Sequence, residues 1–224
     1  MIQALALLCK QIDYQFSDIS YLQQALTHRS VGKSNNERLE FLGDAILSYV
    51  ISDVLYHKFP DIDEGQLSRL RAALVKGDNL AGMARTLDLG KYLKLGAGEL
   101  KSGGFRRDSI LADAFEALIG AVYLDSSEVQ VRALILTLFE SQLANIDLDL
   151  AVKDPKTRLQ EFLQSRRLPV PEYEVINIEG KSHQQTFTVS CRVEGLGEPV
   201  SAKGGSRRKA EQAAAENTLG KLNE

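Results

Sequence analysis

Residues 34–53 read SNNERLEFLGDAILSYVISD, and the fold turns on how that stretch is periodic. At 100° per residue Glu37, Glu40 and Asp44 fall within about 60° of one another around a helix axis. Leu39, Leu42, Ile46 and Val50 gather on the opposite side, so the segment is an amphipathic helix. Ser34 followed three residues later by Glu37 has the spacing of a capping box and predicts where the helix starts. Its acidic side has no Lys or Arg at the positions that would pair it, so the stripe calls for a cation from elsewhere. A solvated helix face explains such a stripe about as well when it stands alone.

A second helix supplies the rest. Residues 109–124, SILADAFEALIGAVYL, are apolar around most of the circumference, which marks a helix buried in a core, with Asp108 or Ser109 as its cap. Its acids are Asp113 and Glu116, three residues apart, with Ala112, Ala117 and Gly120 beside them to let another backbone come close. Buried carboxylates without counter-charge cost several kcal/mol. Two helices with such acids can face each other across a bundle and form a four-carboxylate pocket. Two carboxylates 4 Å apart repel by about 4 kcal/mol at an effective dielectric of 20, and no cation lies on the acidic side of either helix. All-oxygen ligation, with no Cys or His, points to Mg²⁺ with Mn²⁺ able to substitute, and not to zinc.

Around these two helices the first 146 residues read as helix nearly throughout. Residues 61–65 open one that runs on through LSRLRAALVKGDNLAGMARTL, residues 96–104 form a glycine-rich loop that lacks a phosphate-loop motif, and residues 128–144 complete the bundle. Glu64 follows Asp63, an expected N-cap, and the helix dipole accounts for it. Phe41 lies toward the acidic side, either as a core contact or as an aromatic offered to a partner subunit. His28 and His57 carry no assignment.

After Asp154-Pro155 the pattern changes class. A helix with Leu159, Phe162 and Leu163 on one face gives way to strands at 173–178, 186–193 and 198–203. A last helix over 206–222 packs through Ala210, Ala213 and Ala214. Three cations, Arg207, Arg208 and Lys209, open that helix behind Gly204, Gly205 and Ser206, where the dipole disfavours them. A cation-lined helix start with glycines before it suits phosphates. Residues 180–183 (GKSH), with His183, and Thr157, Gln160 and Glu161 on the first helix of this part are further contacts. No aromatic platform for single strands accompanies them, so the pattern fits double-stranded RNA read by shape.

Composition allows this without demanding it. Residues 1–153 hold 16 Lys and Arg against 20 Asp and Glu, and residues 154–224 hold 11 against 10. Neither part binds nucleic acid by charge alone, so local clusters must do it. Apolar runs are too short for a bilayer span. The N-terminus lacks the features of a secretory signal, and two widely separated cysteines suggest reduced thiols in the cytoplasm.

The motifs together resemble bacterial ribonuclease III. NERLEFLGDAIL (36–47), THRS (27–30), DEGQLSRLRAALV (63–75), ELKSGGFRRDSILADAFEALIGAVYLD (99–125) and SRRKAEQAAAE (206–216) carry the likeness, which spans essentially the whole chain. It implies an all-α endonuclease domain over 4–146, followed by a small α+β (α-β-β-β-α) double-stranded-RNA-binding domain over 154–224. It also implies a homodimeric endoribonuclease that cuts duplex RNA to 5′-phosphate and 3′-hydroxyl ends with short 3′ overhangs. Glu40, Asp44, Asp113 and Glu116 would hold the metal, Asp44 and Glu116 being essential, and Glu37 and Glu64 match further cleft acids. Phe41 would sit at the dimer contact. The expected chemistry is metal-activated water attacking phosphorus in line, on ribosomal RNA precursors first and some messenger and transfer RNA precursors. The competing classes are an inactive RNA-binding regulator, against which the intact acids speak, and a phosphohydrolase of small nucleotides, which leaves the second domain unused.

Overall fold

The computed structural model describes residues 2–148, 153–181 and 184–222. The chain divides into two compact units, Met1–Ala151 and Val152–Glu224. Among the described residues no helix is long and apolar enough to cross a membrane.

The first unit is built from helices α1 (Ile2–Gln11), α2 (Ile19–Ala25), α3 (Glu37–Lys58), α4 (Glu64–Leu74), α5 (Gly77–Thr86), α6 (Ala97–Lys101), α7 (Asp108–Asp125) and α8 (Glu128–Ala144). The α7 helix is its axle, packed by α2, α3, α5 and α8. From Ile110 to Val122 every residue of α7 is buried except Asp113 and Glu116. That is the expected buried helix, with both exceptions on its one acidic side. Asp125 closes the end of α7, accepting hydrogen bonds from the Tyr14 hydroxyl (2.7 Å) and from the backbone N–H groups of Ser17 (2.8 Å) and Asp18 (2.7 Å).

Three local expectations are corrected. No Ser34–Glu37 capping box forms: Asn36 is the N-cap of α3, without a side-chain cap bond, and the Asn35 Oδ1 takes the Glu37 N–H instead (3.0 Å). The loop is drawn there because the Asn36 N–H is tied to the Thr27 carbonyl at 2.9 Å. Neither Asp108 nor Ser109 caps α7, whose N-cap is Arg107. The run expected as one helix from residue 61 to 87 is two, α4 and α5. Asn79 sends its side-chain amide back to the Leu74 carbonyl, satisfying the end of α4, and Gly77 opens α5. Asp63 does cap α4, in a complete capping box with Gln66.

The second unit runs α9 (Pro155–Ser165), β1 (Glu172–Glu179), β2 (Thr186–Arg192), β3 (Val200–Gly204) and α10 (Arg207–Leu222). The strands form an antiparallel sheet in the order β1-β2-β3, with Tyr173 opposite Cys191 and Val189 opposite Ala202. Leu159 and Leu163 of α9, Cys191 and Val193 of the sheet side, and Ala214, Ala215 and Leu219 of α10 make one core. Ala210, Ala214 and Ala215 are fully buried where Ala213 was expected, a rotation of the buried stripe by one residue.

Candidate metal centre and nucleic-acid face

Two glycines determine how the acids meet. A Cβ on Gly43 of α3 would lie 1.8 Å from the Glu116 carbonyl oxygen, and one on Gly120 of α7 would lie 2.3 Å from the Leu39 carbonyl oxygen. The helices therefore touch backbone to backbone, and residues flanking the contact are forced onto a common front. The small residue at Gly120 was read from sequence; its counterpart at Gly43 was not.

On that front Glu40, Asp113 and Glu116 each present a carboxylate oxygen, all within 4.8 Å of one another. Burial first, then the charges of Asp44, Glu40 and Asp113, push the Glu116 carboxyl up to about 8. Burial, Asp113 and Glu37 raise Glu40, with Arg29 opposing them. Burial also raises Asp113, against the pull of His28 and Arg29. Asp44, one turn beyond Glu40, is exposed and outside the three-oxygen cluster, yet it is the strongest charged neighbour of Glu116. Crowded, partly desolvated oxygens with excess negative charge could hold a hard divalent cation.

The cluster opens into a cleft of about 480 Å³ lined by Glu37, Glu40 and Asp113 together with His28, Arg29, Asn36, Glu99 and Arg107. Sequence reasoning missed its cationic side, because the cations come from loops and not from the acidic helices. His28 is nearly buried, with Nδ1 2.8 Å from the Ser30 Oγ and 3.2 Å from the Ser30 N–H. Ser30 in turn accepts the Gly96 N–H at 2.8 Å, latching this loop to the glycine-rich segment. The THRS motif was the available signal. Arg107 pairs with Glu99 at 3.1 Å, and Arg29 with Glu37 at 3.7 Å.

Glu64 lies elsewhere within the chain. It accepts the Ser68 hydroxyl at 2.7 Å and lines a separate hollow with Tyr49, Tyr56 and Arg71. Phe41 is 79% exposed, which rules out a core contact within this chain, and Tyr49 and Tyr56 on the same helix are also exposed.

In the second unit a hollow of about 710 Å³ is lined by Thr157, Gln160 and Arg208, three of the expected contacts, and by Lys156, Tyr173 and Glu211, which sequence reasoning passed over. Ser206 caps the start of α10 by accepting the Lys209 N–H. Glu161 is engaged by Lys153, and Thr157 donates its hydroxyl to Asp154 at 2.8 Å. Arg208 and Lys209 are exposed. Ser182 and His183 lie outside the described residues.

Comparison with known proteins matches both units. Residues 18–143 fit the family described as ribonuclease-III-like, and residues 155–222 fit the double-stranded RNA binding motif. Ribonuclease 3 of Aliivibrio fischeri is 60% identical over 214 residues, covering 96% of each chain. Ribonuclease 3 of Shewanella amazonensis is 58% identical over 223 residues, covering 100% of this chain and 99% of its own. Among solved structures, the ribonuclease III nuclease domain of Campylobacter jejuni, described for flexibility in a region involved in dimer formation, matches with a TM-score of 0.60. It shares 44% identity, over 62% of this chain and 98% of that one.

Proposed function

This chain belongs to the ribonuclease III family, endoribonucleases of double-stranded RNA, and on that premise we propose that it cuts duplex RNA with Mg²⁺ held by Glu40, Asp44, Asp113 and Glu116. The observation that carries the reading is the convergence of the Glu40, Asp113 and Glu116 oxygens within 4.8 Å. When bound, the cation supplies a water of lowered pKa and stabilises charge on the phosphoryl oxygens. The chain does the rest. Glu116, raised to about 8, would hold the cation beside Glu40 and Asp113 once its proton is released to solvent. Asp44 extends the acidic row toward solvent, and Arg29 and Arg107 offer guanidinium groups at the cleft where backbone phosphates of the strand arrive. No side chain is needed as general base.

The exposed Phe41, Tyr49 and Tyr56 support a homodimer formed through α3. Two cleavage sites related by its axis leave 5′-phosphate and 3′-hydroxyl ends with short 3′ overhangs. We assign the enzyme to the cytoplasm, acting on ribosomal RNA precursors and on some messenger and transfer RNA precursors.

The test uses end-labelled duplex RNA with Mg²⁺, with Mn²⁺, with Ca²⁺ or with EDTA. Cleavage to 5′-phosphate ends is expected with Mg²⁺ or Mn²⁺ and lost with EDTA. Binding without any Mg²⁺-dependent cleavage would leave only a duplex-binding regulator.

A further inference from the structure

The cations of the duplex-RNA face are not equally free. Glu211 of α10 spends both carboxylate oxygens on two of them: Oε2 lies 2.7 Å from the Lys156 Nζ, and Oε1 lies 2.8 Å from the Arg207 Nε. Its side chain is only 13% exposed, whereas that of Arg207 is 66% exposed. Lys156 is held a second way, its ammonium 4.2 Å from the centre of the Tyr173 ring, and its backbone N–H donates to the Gln212 Oε1 at 3.0 Å. Among the described residues neither Arg208 nor Lys209 has an ion pair. Lys156 and then Arg207 hold the Glu211 carboxyl below its ordinary range, so it stays ionised through neutral pH.

A carboxylate in the hollow that also holds Thr157, Gln160 and Arg208 stands where a polyanion must approach, and like charge there opposes binding. An ordinary helix pair at i, i+4 would account for Arg207, but not for a lysine recruited from α9 or for a carboxylate so nearly covered. We propose that Glu211 restrains the duplex-RNA face, occupying Lys156 and Arg207 so that Arg208 and Lys209 make the phosphate contacts. Binding is then weaker and less salt-dependent than the number of cations alone would give. The inference rests on duplex-RNA binding by this unit.

Duplex binding is measured on the full chain in EDTA, to prevent cleavage, across a salt series. Glu211→Gln keeps the shape and removes the charge. It is expected to tighten binding roughly three- to tenfold and to steepen the slope of log affinity against log salt by about 0.9 for each cation released to a phosphate. In the Glu211→Gln background, Arg207→Gln is expected to reverse about half of the gain, because Lys156 remains released. Glu216→Gln removes the other pair bridging α9 and α10, to Arg158 at 3.0 Å, outside the hollow, and leaves binding unchanged. Unchanged or weaker binding by Glu211→Gln, with the unaltered chain binding normally, overturns the restraint and makes Glu211 a prop for the two cations. If the unaltered chain binds no duplex, it is the underlying function that fails.

Discussion

Glu116 gathers the electrostatics of the carboxylate cluster into one side chain. Its carboxyl is raised to about 8 from an ordinary 4.5 by burial and by three acidic neighbours. The linkage has a definite sign. A carboxyl raised in the folded state contributes stability that is fully present below its unfolded value and is lost as pH climbs through the folded value. In EDTA the melting temperature of the protein should therefore fall, relative to Glu116→Gln, as pH is raised from about 5 to about 9. A saturating divalent cation should abolish that difference, because it replaces the proton as counter-charge. Parallel melting curves for the two proteins at every pH would show that Glu116 is not the strained group. At this scale the spacing of the acids brought Glu40, Asp113 and Glu116 together, since i, i+3 spacing on a helix is geometry, but left Asp44 outside the cluster and Glu64 elsewhere. The sequence was blind to His28, Arg29 and Arg107, whose approach depends on loops latched by contacts such as Ser30 to Gly96.

The pairing of α3 with α7 sets the site at the level of elements. Gly43→Ala would place a methyl 1.8 Å from the Glu116 carbonyl oxygen, and only movement of a helix relieves that. Overpacking of this kind costs about 1–3 kcal/mol, and a displacement near 1 Å lowers cleavage by ~100-fold. Gly82→Ala in α5 meets nothing within 4 Å at a helical, exposed position. It should stabilise the chain by about 0.4–1 kcal/mol and leave cleavage unchanged. Thermal melts and single-turnover cleavage on the two variants check both. Helix identity was legible from periodicity at every long segment. Boundaries were not, where a side chain outside the pattern took over a terminal backbone group: Asn35 before α3, and Asn79 between α4 and α5.

For the molecule as a whole, the carboxylate cluster and the double-stranded RNA binding motif fall in separate compact units. Glu116→Ala should therefore cut at least ~100-fold more slowly while binding duplex RNA within about twofold of the unaltered chain, by gel shift in Ca²⁺. Loss of binding would tie the two jobs together. Phe41→Glu changes a side chain 79% exposed in the single chain, so the fold of each subunit should persist, with an unchanged far-ultraviolet circular dichroism spectrum. Sedimentation should nevertheless show a shift from dimer to monomer, with loss of paired strand cleavage. The change of class at Asp154-Pro155 was readable because helix and strand periods differ. The core of the second unit was readable only to within one residue, since an alanine-rich helix carries little contrast between its sides.

The glycine contacts between α3 and α7 have a further consequence, of the kind an engineer would call a hard stop. Side chains accommodate a changed neighbour by rotating; a carbonyl seated on a glycine cannot. The gap between the two rows of oxygens is thus gauged by main chain, and slack created deeper in the bundle is taken up before it reaches them. Such a centre can sit inside a core that drifts freely in composition while the spacing of its donors stays fixed.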